Sequence, residues 1–388
     1  MKVILVADIL KRDFDGCNRT LFQLLDRGIN SQNIFYFCVA GVFENFPKSI
    51  PYTKVPHLTL PFNKDYQIAL PYFIDNKVKK IFDEFQPDIV HITTPSLLGR
   101  YMQKEALKRG LPVSTIYHTN FVSYADYYVS TKYVVTKAVY NYLVGKYVKF
   151  YNDCNLILCP TRSMQNHLKE IGVKEDLLEL MARGVNREIF YYKNEKSDQF
   201  KRFFQNKNKN ILFASRLVWE KNLRVIIDIY NYCVQNNCPY NFIVVGDGVA
   251  YNAMKAEMPK AHFVGSVDQM RLCEIYNDAD LFLFPSVTET FGNVVLEAMT
   301  CGLPVVAADG GSNPDVVENG KNGILVEEKN IHAYIEAFGF ILQEDNYVIF
   351  RDEALNNRMS KSWDEINAEF IDKLNNLQAV HQLNIAHH

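Results

Sequence analysis

Short apolar runs alternate with longer amphipathic stretches along this chain. Runs such as Lys2 to Ala7, Tyr52 to Leu60 and Ile89 to Ile92 lie between turn-forming residues and predict strands. The stretches between such runs, for example Leu97 to Lys108, have the spacing of helices that bury one face. Regular alternation of strand and helix predicts an α/β fold with doubly wound, mostly parallel sheets.

The same alternation starts again after a polar linker that ends near Asn210. A chain of 388 residues is too long for one hydrophobic core, so two domains are expected. We place them at 1–183 and 184–355. Three helices are predicted to close the chain, and the polar tail 379–388 is predicted to be weakly ordered.

One strand–loop–helix–strand unit, 280–311, carries the most informative pattern of the second domain. Its helix is predicted from Val294 to about Thr300, with Asn293 as the cap. Backbone amides near Phe291, Gly292 and Asn293 would then face outward at the carboxyl edge of a parallel sheet. Open α/β sheets bind ligands at this edge, and helix amides favour anions.

Two carboxylates belong to the same unit, Glu289 in the loop and Glu297 in an otherwise apolar helix. A carboxylate inside a buried helix is costly unless it is paired or faces a ligand. Alternatively, Glu297 only complements the helix dipole and Glu289 is an ordinary solvated loop residue. The residues alone leave both interpretations open.

Further polar groups are predicted at strand ends. Arg216 ends the first strand of the second domain and Lys221 follows five residues later, an arrangement that suits a diphosphate. In the first domain, Gly16 would allow backbone to approach a phosphate, and His118 ends a strand. Ordinary surface charge and a structural histidine are the alternatives.

Composition and charge narrow the class of protein. The chain is 48% hydrophobic and 22% charged, and it lacks both a signal peptide pattern and the roughly 18-residue apolar run of a membrane span. Its eight cysteines form no CxxC pair, which favours free thiols in the reducing cytoplasm.

The charge is unevenly distributed between the two predicted domains. Residues 1–183 hold 23 Lys and Arg against 17 Asp and Glu, a net +6. This leaves −8 for residues 184–388 of a chain with net charge −2. This asymmetry is random surface variation or indicates an anionic partner for the first domain.

Two motifs are misleading. Asp278-Ala279-Asp280 resembles a metal-binding DxD but lies at the amino end of a strand, on the opposite edge of the sheet. Gly246-Asp247-Gly248 is incomplete as a dinucleotide fingerprint, and no GxGxxG follows the first strand of either domain. We therefore expect no metal and no nicotinamide or flavin cofactor.

The segments FASRLVWEKN, VVGDG, FVGSV and ADLFLFPSVTETFGNVVLEAMTCGLPVVAADGG, within 210–328, closely resemble the donor domain of retaining glycosyltransferases of family 4. The first domain is similar more loosely. DGCNRTL resembles the family's glycine loop, with Cys17 in place of a second glycine. PDIVHITTP and STIYHTNFVSY resemble bacterial mannosyl- and sulfoquinovosyl-transferases that act on lipid or cell-envelope acceptors. Arg183 stands where the family usually has asparagine.

The resemblance implies a GT-B fold, in which two Rossmann-like doubly wound domains face each other across a cleft. It also implies that the helix within 356–378 crosses back onto the first domain. Arg216 and Lys221 would hold the donor diphosphate, Glu289 hydroxyls of the sugar, and Glu297 the ribose. The amides of Phe291, Gly292, Asn293 and Val294 would bind sugar and phosphate. Gly16 would approach the phosphate from the acceptor side, and His118 would line the reaction centre.

The expected activity is transfer of a hexosyl group from a UDP- or GDP-sugar to a hydroxyl acceptor, with retention and without metal or cofactor. A glycolipid or cell-envelope precursor is the expected acceptor. A long helical stretch, 125–151, with Tyr, Val and four lysines, predicts peripheral contact with the inner face of the membrane. No nucleic acid partner is expected. Alternatives are a sugar-nucleotide-binding protein without transferase activity, a related epimerase or hydrolase, and a transferase with a soluble acceptor.

Overall fold

The chain separates into two compact units in a computed structural model. Unit 1 comprises Met1–Arg183 and Trp363–His388, and unit 2 comprises Gly184–Ser362. The model describes residues 1–12, 14–29, 34–60, 63–118, 137–197, 199–357 and 360–386. The chain leaves unit 2 after Ser362, later than the predicted residue 355.

Unit 1 contains a parallel sheet of seven strands in the order β3-β2-β1-β6-β7-β8-β9. The strands of this unit are β1 (Lys2–Lys11), β2 (Phe35–Glu44), β3 (Tyr52–Lys54), β4 (His57–Leu60), β5 (Asn63–Ala69), β6 (Ile89–Ile92), β7 (Val113–Ile116), β8 (Leu156–Cys159) and β9 (Leu178–Leu180). β4 and β5 form a separate antiparallel pair. The predicted strand from Tyr52 to Leu60 is therefore wrong, because Pro56 has no N–H for the ladder and the chain leaves the sheet there.

Helices connect these strands, as parallel pairing requires. They are α1 (Gly16–Ile29), α2 (Asp75–Phe85), α3 (Leu97–Lys108), α4 (Lys137–Asn152) and α5 (Arg162–Glu170). The part of the predicted 125–151 stretch that precedes Lys137 lies outside the described residues. The strand order reverses between β1 and β6, so ligands are expected beyond the carboxyl ends of these central strands.

Unit 2 has a parallel sheet of six strands in the order β13-β12-β11-β14-β15-β16, and a separate parallel pair β10-β17. Its strands are β10 (Gly184–Val185), β11 (Lys209–Ala214), β12 (Tyr240–Val245), β13 (His262–Gly265), β14 (Leu281–Phe284), β15 (Val305–Ala308), β16 (Gly323–Val326) and β17 (Lys361–Ser362). Its helices are α6 (Lys201–Phe204), α7 (Leu223–Gln235), α8 (Tyr251–Glu257), α9 (Gln269–Asp278), α10 (Asn293–Thr300), α11 (Asn313–Val316), α12 (Ile331–Ile341) and α13 (Glu344–Leu355). The strand order reverses between β11 and β14, which places the loops after these two strands side by side.

The last helix, α14 (Trp363–Ala386), belongs to unit 1. Trp363, Ile366, Phe370 and Leu374 are buried in the core that β1 and β2 also line. The tail predicted to be weakly ordered, 379–388, is helical through Ala386. These apolar residues anchor the first half of the helix in the core of unit 1.

Candidate active site

The carboxyl ends of β11 and β14 bring together two residues singled out in the sequence. Lys221, in a 3-10 turn after β11, places its Nζ 2.5 Å from Glu289 Oε1 and 3.3 Å from Thr288 Oγ1. The Lys221 side chain is 4% exposed and that of Glu289 is 27% exposed. A nearly buried ammonium is thus held by a carboxylate that still reaches the surface. Since an ammonium has three donors, one remains for a further oxygen atom.

Arg216 follows β11 in the same region of unit 2 and is exposed. Two glycines of the misleading Gly-Asp-Gly motif position its loop. A Cβ on Gly246 would lie 1.8 Å from Ser215 O, and one on Gly248 would lie 2.4 Å from Leu217 O. These glycines therefore let the β12 loop pack directly against the Arg216 loop, a structural reason for the motif that needs no dinucleotide.

Helix α10 begins differently from the prediction. Gly292, with a φ of 82°, occupies the N-cap position, and Asn293 is the first helical residue. The predicted cap by Asn293 is therefore wrong, because the loop enters the helix through a left-handed residue, a conformation that favours glycine. Gly292 has no side chain, so the N-cap residue itself supplies no acceptor to the first-turn amides.

The other predicted site residues in α10 and just before it differ in burial. Phe291 is buried, which leaves its backbone as the part available to a ligand, and Val294 is half-buried. Glu297 lies in the second turn and is 8% exposed, among apolar neighbours of the same helix. It is thus an almost buried carboxylate close to a helix N-terminus, where the macrodipole favours negative charge.

Two polar residues beside α10 were missed in the sequence. Asn313 and Ser312 are almost fully buried, and Asn313 Nδ2 donates to Ser286 O at 2.8 Å and to Ala308 O at 2.9 Å. These bonds fix the orientation of the amide and place Asn313 Oδ1 on the side of Gly292. Oδ1 and Ser312 Oγ each lie 3.9 Å from the position of a Cβ on Gly292, and neither has a hydrogen-bond partner among the described residues. Their position after GG in GGSNPD was the only sequence signal.

Asp278 and Asp280 have structural partners in the described part of the chain. Asp278 accepts from Ser197 N at 2.6 Å, and Asp280 pairs with Lys196 at 2.7 Å and accepts from Asn210 N. They fasten the segment before β11 to the amino edge of the sheet. Among the described residues, no group of three or more His, Cys, Asp or Glu is arranged to hold a metal ion.

In unit 1, Gly16 is the exposed first residue of α1, and His118 lies just beyond β7. His118 Nδ1 is 3.0 Å from an Nη2 of Arg183, whose residue is 3% exposed. Burial holds the pKa of His118 well below its usual range, and the charge of Arg183 lowers it further, with a smaller contribution from His91. The imidazole is therefore neutral at pH 7.

Two protein-family models match most of this chain. Residues 23–189 match the family model Glycosyltransferase Family 4, and residues 194–361 match Glycosyl transferases group 1. The chain is 22% identical to a GDP-mannose-dependent alpha-mannosyltransferase of Corynebacterium glutamicum, over 98% of this chain and 90% of the relative. It is 26% identical to an alpha-monoglucosyldiacylglycerol synthase of Streptococcus pneumoniae, over 74% and 66% of the two chains.

Solved structures show the same fold. HepE of Anabaena in complex with UDP-glucose matches with a TM-score of 0.74 at 17% identity, over 97% of this chain and 100% of that one. Sucrose-phosphate synthase of Thermosynechococcus elongatus matches with a TM-score of 0.75 at 17% identity, over 98% and 99%. The predicted GT-B fold is confirmed. With a family 4 domain followed by a group 1 domain, the chain belongs to the family 4 glycosyltransferases.

Proposed function

We propose that this glycosyltransferase moves a hexosyl group from a UDP- or GDP-sugar to a hydroxyl acceptor, with retention and without a metal ion. The observation that carries the proposal is the pair of buried Lys221 and partly exposed Glu289 beside the N-terminus of α10. A cation and helix amides favour a diphosphate, and a partly exposed carboxylate accepts from sugar hydroxyls.

Each residue then has a defined part. Lys221, Arg216 and the first-turn amides of α10 bind the diphosphate and stabilise the charge that it gains as it leaves. Glu289 binds hydroxyls of the transferred sugar. Glu297 binds the ribose. In unit 1, Gly16 lets the backbone approach a phosphate, and His118 contacts a ligand.

The proposed transfer takes place on one face of the sugar. The bond between the anomeric carbon and the phosphate oxygen breaks, and the acceptor oxygen bonds to the same carbon from the same side. The acceptor's proton moves to an oxygen of the departing phosphate, so no side chain has to become a covalent intermediate. Glu289 acts as a binding group, with one carboxylate oxygen held by Lys221 and the other accepting from a sugar hydroxyl.

The activity is tested with UDP- and GDP-sugars, first by thermal unfolding and then by product analysis. The accepted donor should raise the unfolding midpoint, because a ligand of the native state stabilises it. With an acceptor, the product should have the donor's anomeric configuration in NMR spectra, and excess EDTA should leave the rate unchanged.

Several outcomes would contradict parts of this proposal. Donor binding without any transferred or hydrolysed sugar would indicate a binding protein instead. Loss of activity in EDTA with rescue by Mn²⁺ would overturn metal independence. An inverted product would overturn retention.

A surface of unit 1 supports a lipid-linked acceptor. Large exposed side chains lie along the turn before α2, the start of α3, and α4, and Tyr72 and Phe73 are 71% and 76% exposed. The full set, here called the aromatic surface, is Tyr72, Phe73, Leu97, Tyr142 and Leu143. The helices α3 and α4 pack against each other, since Gln103 Nε2 donates to Phe150 O at 2.8 Å.

The structure describes the side chains of two of the four lysines predicted near the aromatic surface. Of the four lysines of the 125–151 stretch, the side chains of Lys132 and Lys137 lie outside the described part. Lys146 lies over the Tyr142 ring, 5.3 Å from its centroid, and Lys149 pairs with Asp153. None of the described helices is long and apolar enough to cross a membrane.

The protein is expected to co-sediment with anionic vesicles at low salt and less at high salt. A basic residue near an anionic leaflet contributes about 1 kcal/mol, and tyrosine rings favour the headgroup level. Tyr72→Ser/Phe73→Ser should reduce the bound fraction, whereas Phe203→Ser, an exposed aromatic of unit 2, should not. If wild type fails to bind anionic vesicles even at low salt, a soluble acceptor is favoured.

A further inference from the structure

The contact between Arg183 and His118 joins two chain segments of unit 1. Arg183 follows β9 and His118 follows β7, and their Nη2 and Nδ1 atoms are 3.0 Å apart. The family usually has asparagine at the position of Arg183, so this contact is a departure of the present chain. Arg183 is almost fully buried, so its guanidinium is confined beside the imidazole.

The chemistry of the two groups fixes the direction of this hydrogen bond. A guanidinium carries only N–H donors and has no acceptor. His118 Nδ1 must therefore accept, which requires that it bears no proton. In a neutral imidazole the proton is then on Nε2, and Nε2 can only donate.

We propose that Arg183 is a positioning residue that holds His118 as the neutral Nε2–H tautomer. On the proposed transfer reaction, His118 then donates a hydrogen bond to a ligand oxygen and does not take the proton of the acceptor hydroxyl. That proton goes to the departing phosphate, as in the one-face transfer above.

The groups around the contact leave Arg183 protonated and His118 neutral. Burial lowers the pKa of Arg183 to about 10, so the guanidinium remains protonated at pH 7. Its neighbours Cys17 and Cys159 are neutral thiols, because burial raises their pKa values. His91 is also neutral, since burial lowers its pKa to about 3. His118 thus lies beside the positive charge of Arg183, which disfavours its protonation.

The test is ¹⁵N NMR of the imidazoles of the full chain, with His118 assigned by His118→Gln. Wild type should show a protonated Nε2 and an unprotonated Nδ1, with no titration of His118 between about pH 5.5 and 8. Arg183→Met removes both donor and charge, so the His118 pKa should rise and the Nδ1–H tautomer should appear. Arg183→Lys retains a donor and a charge and should keep the wild-type pattern. Arg187→Met, at an arginine that bonds Ser360 O in unit 2, is the matched control.

Activity gives an independent readout. Arg183→Met should lower kcat by about 10²-fold through misplacement of His118, with little change in affinity for UDP or GDP, and Arg183→Lys should restore much of it. A wild-type Nδ1–H tautomer, or an unchanged tautomer and pKa in Arg183→Met, would overturn the proposal. If Arg183→Met does not fold, the wild-type tautomer and Arg183→Lys still decide the question. If the protein transfers no sugar at all, the proposed function fails while the NMR result still stands.

Discussion

Replacement of Lys221 by methionine is expected to lower the transfer rate about 10²- to 10³-fold, and Arg216→Met should act in the same direction. Loss of one preorganised donor to a developing oxyanion costs roughly 2.7–4 kcal/mol, which corresponds to that range. Methionine keeps the apolar stem of the buried lysine and removes only the ammonium. Single-turnover rates with saturating donor measure the effect directly.

Lys221→Met also leaves Glu289 without its cation, so stability must be separated from catalysis. Thermal unfolding of Lys221→Met, Glu289→Gln and the double variant does this: the double variant should recover much of the stability lost in Lys221→Met but none of the transfer rate. Lys321→Met, at an exposed lysine that pairs with Glu318, should behave as wild type. If both Lys221→Met and Arg216→Met transfer sugar at nearly the wild-type rate, the diphosphate assignment is wrong.

The sequence was sufficient to place Lys221 and Glu289 at the same edge of one sheet, because strand order and strand ends follow from the alternating pattern. It could not show that the two groups bind each other, since they are 68 residues apart. Their pairing depends on how the loops after β11 and β14 meet. The sequence therefore predicted where these two residues lie in the sheet but not that they form an ion pair.

The start of α10 shows a different limit. Asparagine is favoured at the N-cap of a helix, which is why Asn293 was predicted there. In the structure the preceding residue, Gly292, is the N-cap and has a positive φ. The buried amide of Asn313 is a second example. Its orientation depends on the backbone carbonyls of Ser286, just after β14, and of Ala308, at the end of β15. Such local choices are set by tertiary packing and cannot be derived from residue preference alone.

Arg183 illustrates what a departure from a family pattern can conceal. As a sequence feature it had no predicted consequence, because its partner, His118, is 65 residues away. In the fold it has a definite one, since a donor-only group next to Nδ1 determines which ring nitrogen carries the proton. The effect arises from geometry and valence together, so it required the coordinates of both side chains.

The two glutamates are expected to respond differently to the same change. Glu289→Gln should lower transfer by about 10²-fold, because a sugar hydroxyl loses a charged acceptor that matters in the transition state. The affinity for bare UDP or GDP should stay the same or rise slightly. Without the Glu289 carboxylate, the positive charge of Lys221 becomes available to the diphosphate. Isothermal titration calorimetry with nucleotide alone, beside transfer rates, measures both quantities.

Glu297→Gln should instead weaken bare UDP or GDP by about 10- to 100-fold, because a hydrogen bond to a charged group contributes roughly 1.5–3 kcal/mol. Its carboxylate is almost buried in α10, so the amide keeps the shape and loses only the charge for the ribose hydroxyls. Glu257→Gln, at an exposed glutamate that pairs with Arg224, is the matched control and should change neither quantity. Equal losses of nucleotide affinity in Glu289→Gln and Glu297→Gln would contradict these separate roles. Bare UDP or GDP carries no transferable sugar, so a residue that binds only that sugar should not affect its affinity.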